Sequence, residues 1–342
     1  MDIFDKLPEN YQHKFARTNP HMLKNMFGAT DLAPFWIADM EFPIAEPISQ
    51  EIKRIADRGI YAYEFDAHNV FASIVDWNKK RNDLVLDQKN FVQVTGVLTG
   101  IAVLIRELTQ AGDGILIQTP VFHQFAQLIK SAGRKIVSNP LKIVDGAYKM
   151  DVDDMEEKLQ SGAVKMILLC NPHNPVGRVW TKDELKKISD LATKYGVPLV
   201  SDEIHSDIIF EGHKFQSIVS IDPENHIALL GSPAKTFGMQ SISNGYLYIP
   251  NETLRKKIKA VVGSMHLNHG NAVTTFATIA AFKHGAEWLD GLIAYLQSTI
   301  NWIDQFLAAE LPTVKMSRWK ERIKYGSILG KLASPKRNWT VF

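Results

Sequence analysis

A chain of 342 residues with 45% hydrophobic and 22% charged positions is too apolar for a disordered polymer and too charged for a membrane bundle; its length accommodates one large domain plus a smaller one. Thirty-nine Lys and Arg against 37 Asp and Glu leave a net charge of +2 with no long block of either sign, which argues against nucleic acid as the main partner. The single cysteine, Cys170, excludes an intramolecular disulfide framework and any cysteine-cluster metal site, which suits a reducing, cytoplasmic setting, and no run reaches the roughly 18 apolar residues of a membrane span.

Residues 1–46 open without an apolar leader and pass into an aromatic and proline-rich stretch, 32–47, assigned to a smaller lobe. From 47 to 283 short apolar runs alternate with helical patterns, the arrangement of an α/β domain. FVQV (91–94) reads as a strand, followed by a helix over 98–108 with Ile101, Leu104, Ile105 and Leu108 on one face. Further strands are ILIQ (115–118), KMILLC (165–170), VPLVSD (197–202), HIALL (226–230) and YLYI (246–249). Most are apolar on both faces, so they predict a largely parallel sheet covered by helices. Before the VPLVSD strand, Thr181 and Glu184 form a capping box, and Leu185, Ile188, Leu191 and Tyr195 recur at helical spacing up to Gly196. Residues 284–342 are assigned to the smaller lobe. They begin with a helix over 287–311 whose stripe, Leu289, Leu292, Ile293, Leu296, Ile300, Ile303 and Leu307, predicts core packing.

Ligands of open α/β sheets collect at the carboxyl ends of strands, and four polar sets fall there. After HIALL comes SPAKTFG (232–238), where a partly desolvated Lys235 would be a nucleophile toward an aldehyde and Ser232 a donor to phosphate. At the end of VPLVSD stand Asp202 and His205; a buried aspartate needs a cationic partner, and a protonated pyridine nitrogen would supply one while His205 reaches an oxygen of the same ring. The turn NPHNPVG (171–177) aims an asparagine inward. TGVLTG (95–100) offers backbone amides at a helix start for phosphate, although no Gly-Lys-Ser/Thr follows to make a P-loop. Each set alone reads equally as a loop, a cap or a turn. Together, in this order, they describe a site for a phosphorylated pyridine aldehyde. Trp36 and Asp39 are candidates for its entrance, whereas His266 and His269, though spaced i, i+3, have no third ligand and predict no metal site.

In this order TGVLTG, TPVFHQF, NPHNPVGR, SDEIHSD and SPAKTF resemble the fold-type I pyridoxal phosphate enzymes of the aminotransferase class I/II superfamily. WIADMEFP (36–43), YAYEF and SDEIHSD resemble, more narrowly, the branch of cystathionine β-lyases and cysteine-S-conjugate β-lyases that includes the MalY and PatB proteins. The resemblance spans about residue 19 to about residue 317 and implies that family's transferase fold, with a mostly parallel central sheet in the large domain. It makes Lys235 the Schiff-base lysine and Asp202 the partner of the pyridine nitrogen. It puts Asn174 and His205 near the ring oxygen, Val97, Leu98 and Ser232 on the phosphate, and Phe122 where the family stacks an aromatic ring. Tyr63 matches a residue that the neighbouring subunit gives to the phosphate, implying a homodimer.

The implied activity is cleavage of L-cystathionine or related cysteine S-conjugates to a thiol, pyruvate and ammonia. Transamination is the alternative the same site allows, and a catalytically impaired cofactor-binding regulator is a third reading. The carboxyl terminus departs from the family, which continues past VKMSR with a motif like E-G-T-Y-x-x-W and later supplies an arginine for the substrate carboxylate. Here residues 318–342 read RWKERIKYGSILGKLASPKRNWTVF. Reading the codons of 319–327 one base earlier permits V-E-G-T-Y-K-V-W-F. A frameshift is therefore expected to have left the smaller lobe incomplete, costing about 2 to 5 kcal/mol of substrate binding.

Overall fold

In the computed structural model the described residues are 3–4, 15–33, 36–64, 69–222, 227–312, 315–316 and 327–328. Three helices come first: α1 (Pro20–Phe27), α2 (Glu46–Asp57) and α3 (Asn69–Asn82). Then β1 (Phe91–Val94), α4 (Val97–Leu108), β2 (Gly114–Thr119), α5 (His123–Ser131) and β3 (Lys135–Pro140) alternate. The hairpin of β4 (Lys142–Val144) and β5 (Ala147–Lys149) leads to α6 (Val152–Gln160), β6 (Val164–Cys170), α7 (Lys182–Lys194) and β7 (Leu199–Asp202). The chain continues through β8 (Ile227–Gly231), α8 (Ala234–Phe237), β9 (Gly245–Tyr248), α9 (Glu252–Ser264), α10 (Ala272–His284) and α11 (Ala286–Glu310).

Seven strands form one sheet in the order β1-β9-β8-β7-β6-β2-β3. The pairs from β8 to β3 are parallel, whereas β9 runs antiparallel to both of its neighbours, β1 and β8. The carboxyl ends of β1, β2, β6, β7 and β8 therefore share one edge. Side chains alternate across the sheet. Leu116, Ile167, Leu169, Leu199 and Leu229 enter one buried cluster with Trp77 of α3 and Ala277 of α10, and Ile115, Ile117, Met166, Leu168, Val200 and Leu230 enter another with Ile101 of α4 and Ile258 of α9.

The mostly parallel sheet expected from the apolar runs is present, with β9 the strand that departs from it. The connection from β8 to β9, residues 232–244, carries only the four-residue α8 and no helix long enough to cover the sheet as the crossover to a parallel neighbour usually does. The edge strand β3 was not legible because its pattern turns polar after Val137. The β4–β5 hairpin carried a signal that periodicity missed: Asp145 and Gly146 at its turn have φ of 53° and 76°, as the Asp-Gly pair of a tight hairpin favours. The Thr181–Glu184 capping box forms as expected at the start of α7.

In α11 the apolar stripe buries only in part. Leu289 and Leu292 are buried, and Ile293, Tyr295 and Leu296 pack beside them. Beyond that point Trp302 and Phe306 stack on each other, 61% and 43% exposed. The altered tail expected from Arg318 onward lies outside the described residues, apart from Ser327–Ile328 (β11), which pairs antiparallel with Lys315–Met316 (β10).

The end of β7 is anchored by Glu203, whose buried carboxylate accepts hydrogen bonds from Ser201 Oγ (3.0 Å), the Ile218 amide (2.9 Å) and Asn171 Nδ2 (3.5 Å). Burial outweighs these bonds and pushes its pKa up to about 7. The folded protein thus holds this proton more tightly than the unfolded chain. The stability it contributes is complete below pH 4.5, the ordinary value, and is lost as pH rises through about 7.

Two outcomes are expected from urea unfolding. Stability should fall by about 3 kcal/mol on this account between the two pKa values, with Glu203→Gln flattening that slope; an unchanged slope in the variant would remove Glu203 as its source. Leu292→Ala should cost about 2 to 5 kcal/mol and Trp302→Ala no more than about 0.5 kcal/mol, so equal losses would refute the division of α11 into a buried and an exposed half.

Candidate active site

Lys235 lies in α8, immediately behind β8. Ser232 secures the entry to this turn: its hydroxyl accepts from the Ala234 amide (3.2 Å) and donates to the Asn244 carbonyl (2.8 Å). Gly238 ends the helix in the left-handed region at φ 70°, a conformation in which a Cβ would be strained. Phe237 is fully buried against Trp77 and Phe282, which pins α8 to the core. The Lys235 amine donates to the carbonyl of Ala38 at 3.2 Å. Burial lowers its pKa, while the charges of Asp39 and Asp202 act in the opposite direction.

Asp202 is the last residue of β7, paired in register with Cys170 at the end of β6. It is buried, and its Oδ1 accepts from the Ile204 amide at 3.1 Å. Its own carbonyl takes the Asn171 amide at 2.9 Å, so the turn after β6 is tied directly to the end of β7. Within that turn Asn174 is buried and its amide donates to Cys170 Sγ at 3.4 Å. Arg178 closes the turn, ion-paired with Glu184 at 2.8 Å and lying over the Trp180 ring. His205, three residues past Asp202, is also buried.

The insertion of β9 between β1 and β8 brings two further sets together. Ser232 binds the carbonyl of Asn244, and the next residue, Gly245, abuts the start of α4: a Cβ there would stand 2.7 Å from Gly96 C and from Val97 N. Ser232 thus shares a neighbourhood with Val97, Leu98 and the first amides of α4, whose amino end receives no side-chain cap. Phe122 precedes α5 at the carboxyl end of β2, half-buried and edge-on to His123 and Phe125. Tyr63 is 99% exposed and takes no part in the site of its own chain.

Asp39 is a candidate for the entrance, but nothing in the spacing of the segment around it says that the Ala38 carbonyl lies over the lysine amine. The segment is held there by Gln240 Nε2, which also donates to the Ala38 carbonyl (3.3 Å), and by Arg17, which donates to the Asp39 carbonyl (3.2 Å) and ion-pairs with Glu41. Trp36 Nε1 in turn donates to the Arg17 carbonyl at 3.0 Å. The rings of His266 and His269 lie 5.7 Å apart, and among the described residues no group of three or more His, Cys, Asp or Glu side chains converges.

The chain matches known proteins over most of its length. Residues 52–320 match the aminotransferase class I and II family. The chain is 35% identical over 295 residues to cystathionine beta-lyase PatB of Bacillus subtilis, covering 86% of this chain and 76% of PatB. It is 31% identical over 288 residues to Protein MalY of Escherichia coli, covering 84% and 74%. Among solved structures, the PLP-bound C-S lyase from Staphylococcus hominis superimposes with a TM-score of 0.86 at 27% identity, over 93% of this chain and 80% of that one. The matched span takes in every strand from β1 to β9 together with Lys235, and this chain belongs to the aminotransferase class I and II family.

Proposed function

We propose that this protein is a pyridoxal 5′-phosphate-dependent carbon–sulfur β-lyase that cleaves L-cystathionine or related cysteine S-conjugates to a thiol, pyruvate and ammonia. One observation carries the reading: Lys235 is half-buried at a strand-to-helix turn, its pKa lowered by burial, with Asp39 and Asp202 in its field. The choice of lyase rests on similarity to PatB, a cystathionine β-lyase, and to the C-S lyase of Staphylococcus hominis.

The residues fit the cofactor. An uncapped helix start beside Ser232 suits a phosphate dianion. The buried carboxylate of Asp202 suits a protonated ring nitrogen, and Asn174 and His205, both buried near the ends of β6 and β7, offer donors for a ring oxygen. Phe122 supplies an aromatic face. When bound, pyridoxal phosphate supplies an aldehyde that captures the substrate amine and a ring that withdraws electrons from its α-carbon.

The chain's own groups do the remaining work. Desolvation raises the share of Lys235 present as a neutral amine, the form that accepts the α-proton. Asp39 and Asp202 then stabilise the ammonium that results, so one side chain serves as base and acid in turn. Asp202 would also keep a proton at the cofactor's ring nitrogen. With a thiolate leaving group at the β-carbon, loss of sulfur competes with return of the proton, and delivery by Lys235 to the cofactor's carbon would give transamination instead.

The reading includes a homodimer. Ile60, Tyr61 and Tyr63 are exposed in close succession, an apolar and aromatic strip that a second copy would cover, with Tyr63 reaching the phosphate of the partner. A cytoplasmic location is supported by the buried thiol of Cys170, and no helix among the described residues is long and apolar enough to cross a membrane.

Purified protein incubated with pyridoxal phosphate and L-cystathionine, without a keto acid, is expected to release pyruvate continuously, and Lys235→Ala to release none. Turnover that appears only when a keto acid is added would replace the lyase reading with an aminotransferase. Gly245→Ala, whose new methyl would collide with the backbone at the start of α4, is expected to weaken pyridoxal phosphate retention by about 5- to 150-fold on dialysis, as an overpacking cost of about 1 to 3 kcal/mol falling on that site implies. Full retention would mean that the start of α4 is not the phosphate site.

A further inference from the structure

Asp207 closes the SDEIHSD run and is buried. Its Oδ2 accepts from Thr236 Oγ1 at 2.8 Å, and its Oδ1 accepts from Trp77 Nε1 at 2.8 Å and from Asn82 Nδ2 at 3.4 Å. Thr236 is the residue next to Lys235 in α8 and is itself 1% exposed. A helix of four residues cannot hold its own direction through internal hydrogen bonds, because helix formation is cooperative and a single turn is unfavourable. Its orientation is imposed from outside. Phe237 supplies an apolar anchor, which permits rotation about a ring contact. The bond from Thr236 to a buried carboxylate is directional.

The same carboxylate leads into a longer polar chain. Asn82 Nδ2 also donates to Asn78 Oδ1 at 3.3 Å, and Asn78 shares a hydrogen bond with the Tyr246 hydroxyl. The Tyr246 ring fills the space over Gly231, where a Cβ would stand 2.3 Å from its hydroxyl oxygen. Trp77, Asn78 and Asn82 of α3, Tyr246 of β9 and Thr236 of α8 are thereby linked around one carboxylate. Burying that charge is costly unless donors are arranged about it, and such an arrangement specifies one geometry.

We infer that Asp207 is a positioning residue for Lys235: through Thr236 it sets the direction in which the amine leaves α8, and through Trp77 and Asn82 it refers that direction to the rigid helix α3. The inference rests on Lys235 being the residue that joins the cofactor. A lysine displaced by about an ångström from its reacting partner loses up to about a hundredfold in rate, so the effect belongs in the reaction step and not in substrate affinity.

Thr236→Val removes the donor at nearly constant volume, and Thr236→Ser keeps it. Two quantities are read in each: the rate at which Lys235 of cofactor-free protein is trapped by pyridoxal phosphate and borohydride, followed by the mass of its peptide, and kcat with KM for pyruvate formation from L-cystathionine. Thr236→Val is expected to slow trapping and lower kcat about tenfold or more with KM within about twofold, and Thr236→Ser to stay within about threefold of the parent in both. Trapping at the parental rate in Thr236→Val overturns the inference, and so does an equal fall in the Val and Ser variants. Where Thr236→Val does not fold, Asp207→Asn, which keeps the side-chain shape and an acceptor for Trp77, decides by the same trapping rate. A parent that traps the cofactor yet forms no pyruvate refutes the lyase reading alone, and one that does not trap it refutes both.

Discussion

The proposed site depends on a lysine amine partly withdrawn from water. Burial lowers the pKa of Lys235 while Asp39 and Asp202 oppose that shift, and a lysine so placed would be suited both to take and to return a proton. Neither influence alone would serve. A lysine exposed on a loop would remain an ammonium, and one buried among apolar side chains would have no means of holding the proton it takes. The balance exists because α8 is fastened on several sides: by Ser232 at its entry, by Phe237 in the core and by the carbonyl of Ala38 on the amine itself.

The sheet explains how residues so far apart in the chain meet. Parallel strands deliver Asn174, Asp202 and Lys235 to one edge, since each follows the carboxyl end of its strand. The proposed phosphate site would need the end of β1 as well, and β1 is not a neighbour of β8. The antiparallel strand β9 spans that gap, and its first residue must be glycine because the backbone of Gly96 and Val97 occupies the space a side chain would take. The strand that breaks the parallel pattern is thus the one that brings the end of β8 and the start of α4 together.

Charge in the interior is managed by donors arranged around it. Glu203 is neutral over part of the physiological range despite its hydrogen bonds, and locks the end of β7 to the turn after β6. Asp207 gathers donors from two helices. Glu203 directly follows Asp202, and Glu203 and Asp207 stand on either side of His205, so this run is fixed through partners drawn mostly from distant parts of the chain and not from local sequence.

The strands, the capping box of α7 and the position of Lys235, Asp202 and Asn174 at the carboxyl ends of strands were legible in the sequence, because apolar runs, caps and turn residues act over a few positions. The hairpin at Asp145–Gly146 was equally local and was missed only because its strands are short. The placement of Ala38 and Asp39 over the lysine, the antiparallel sense of β9 and the attachment of Thr236 to Asp207 and Trp77 were not legible. Each joins residues separated by tens to hundreds of positions, and the energy that selects it comes from desolvation and packing, which have no periodicity to read. The sequence by itself determined which chemical groups are present and in what order they emerge. Only the tertiary structure decided which of them face one another, because burial is a property of the assembled core.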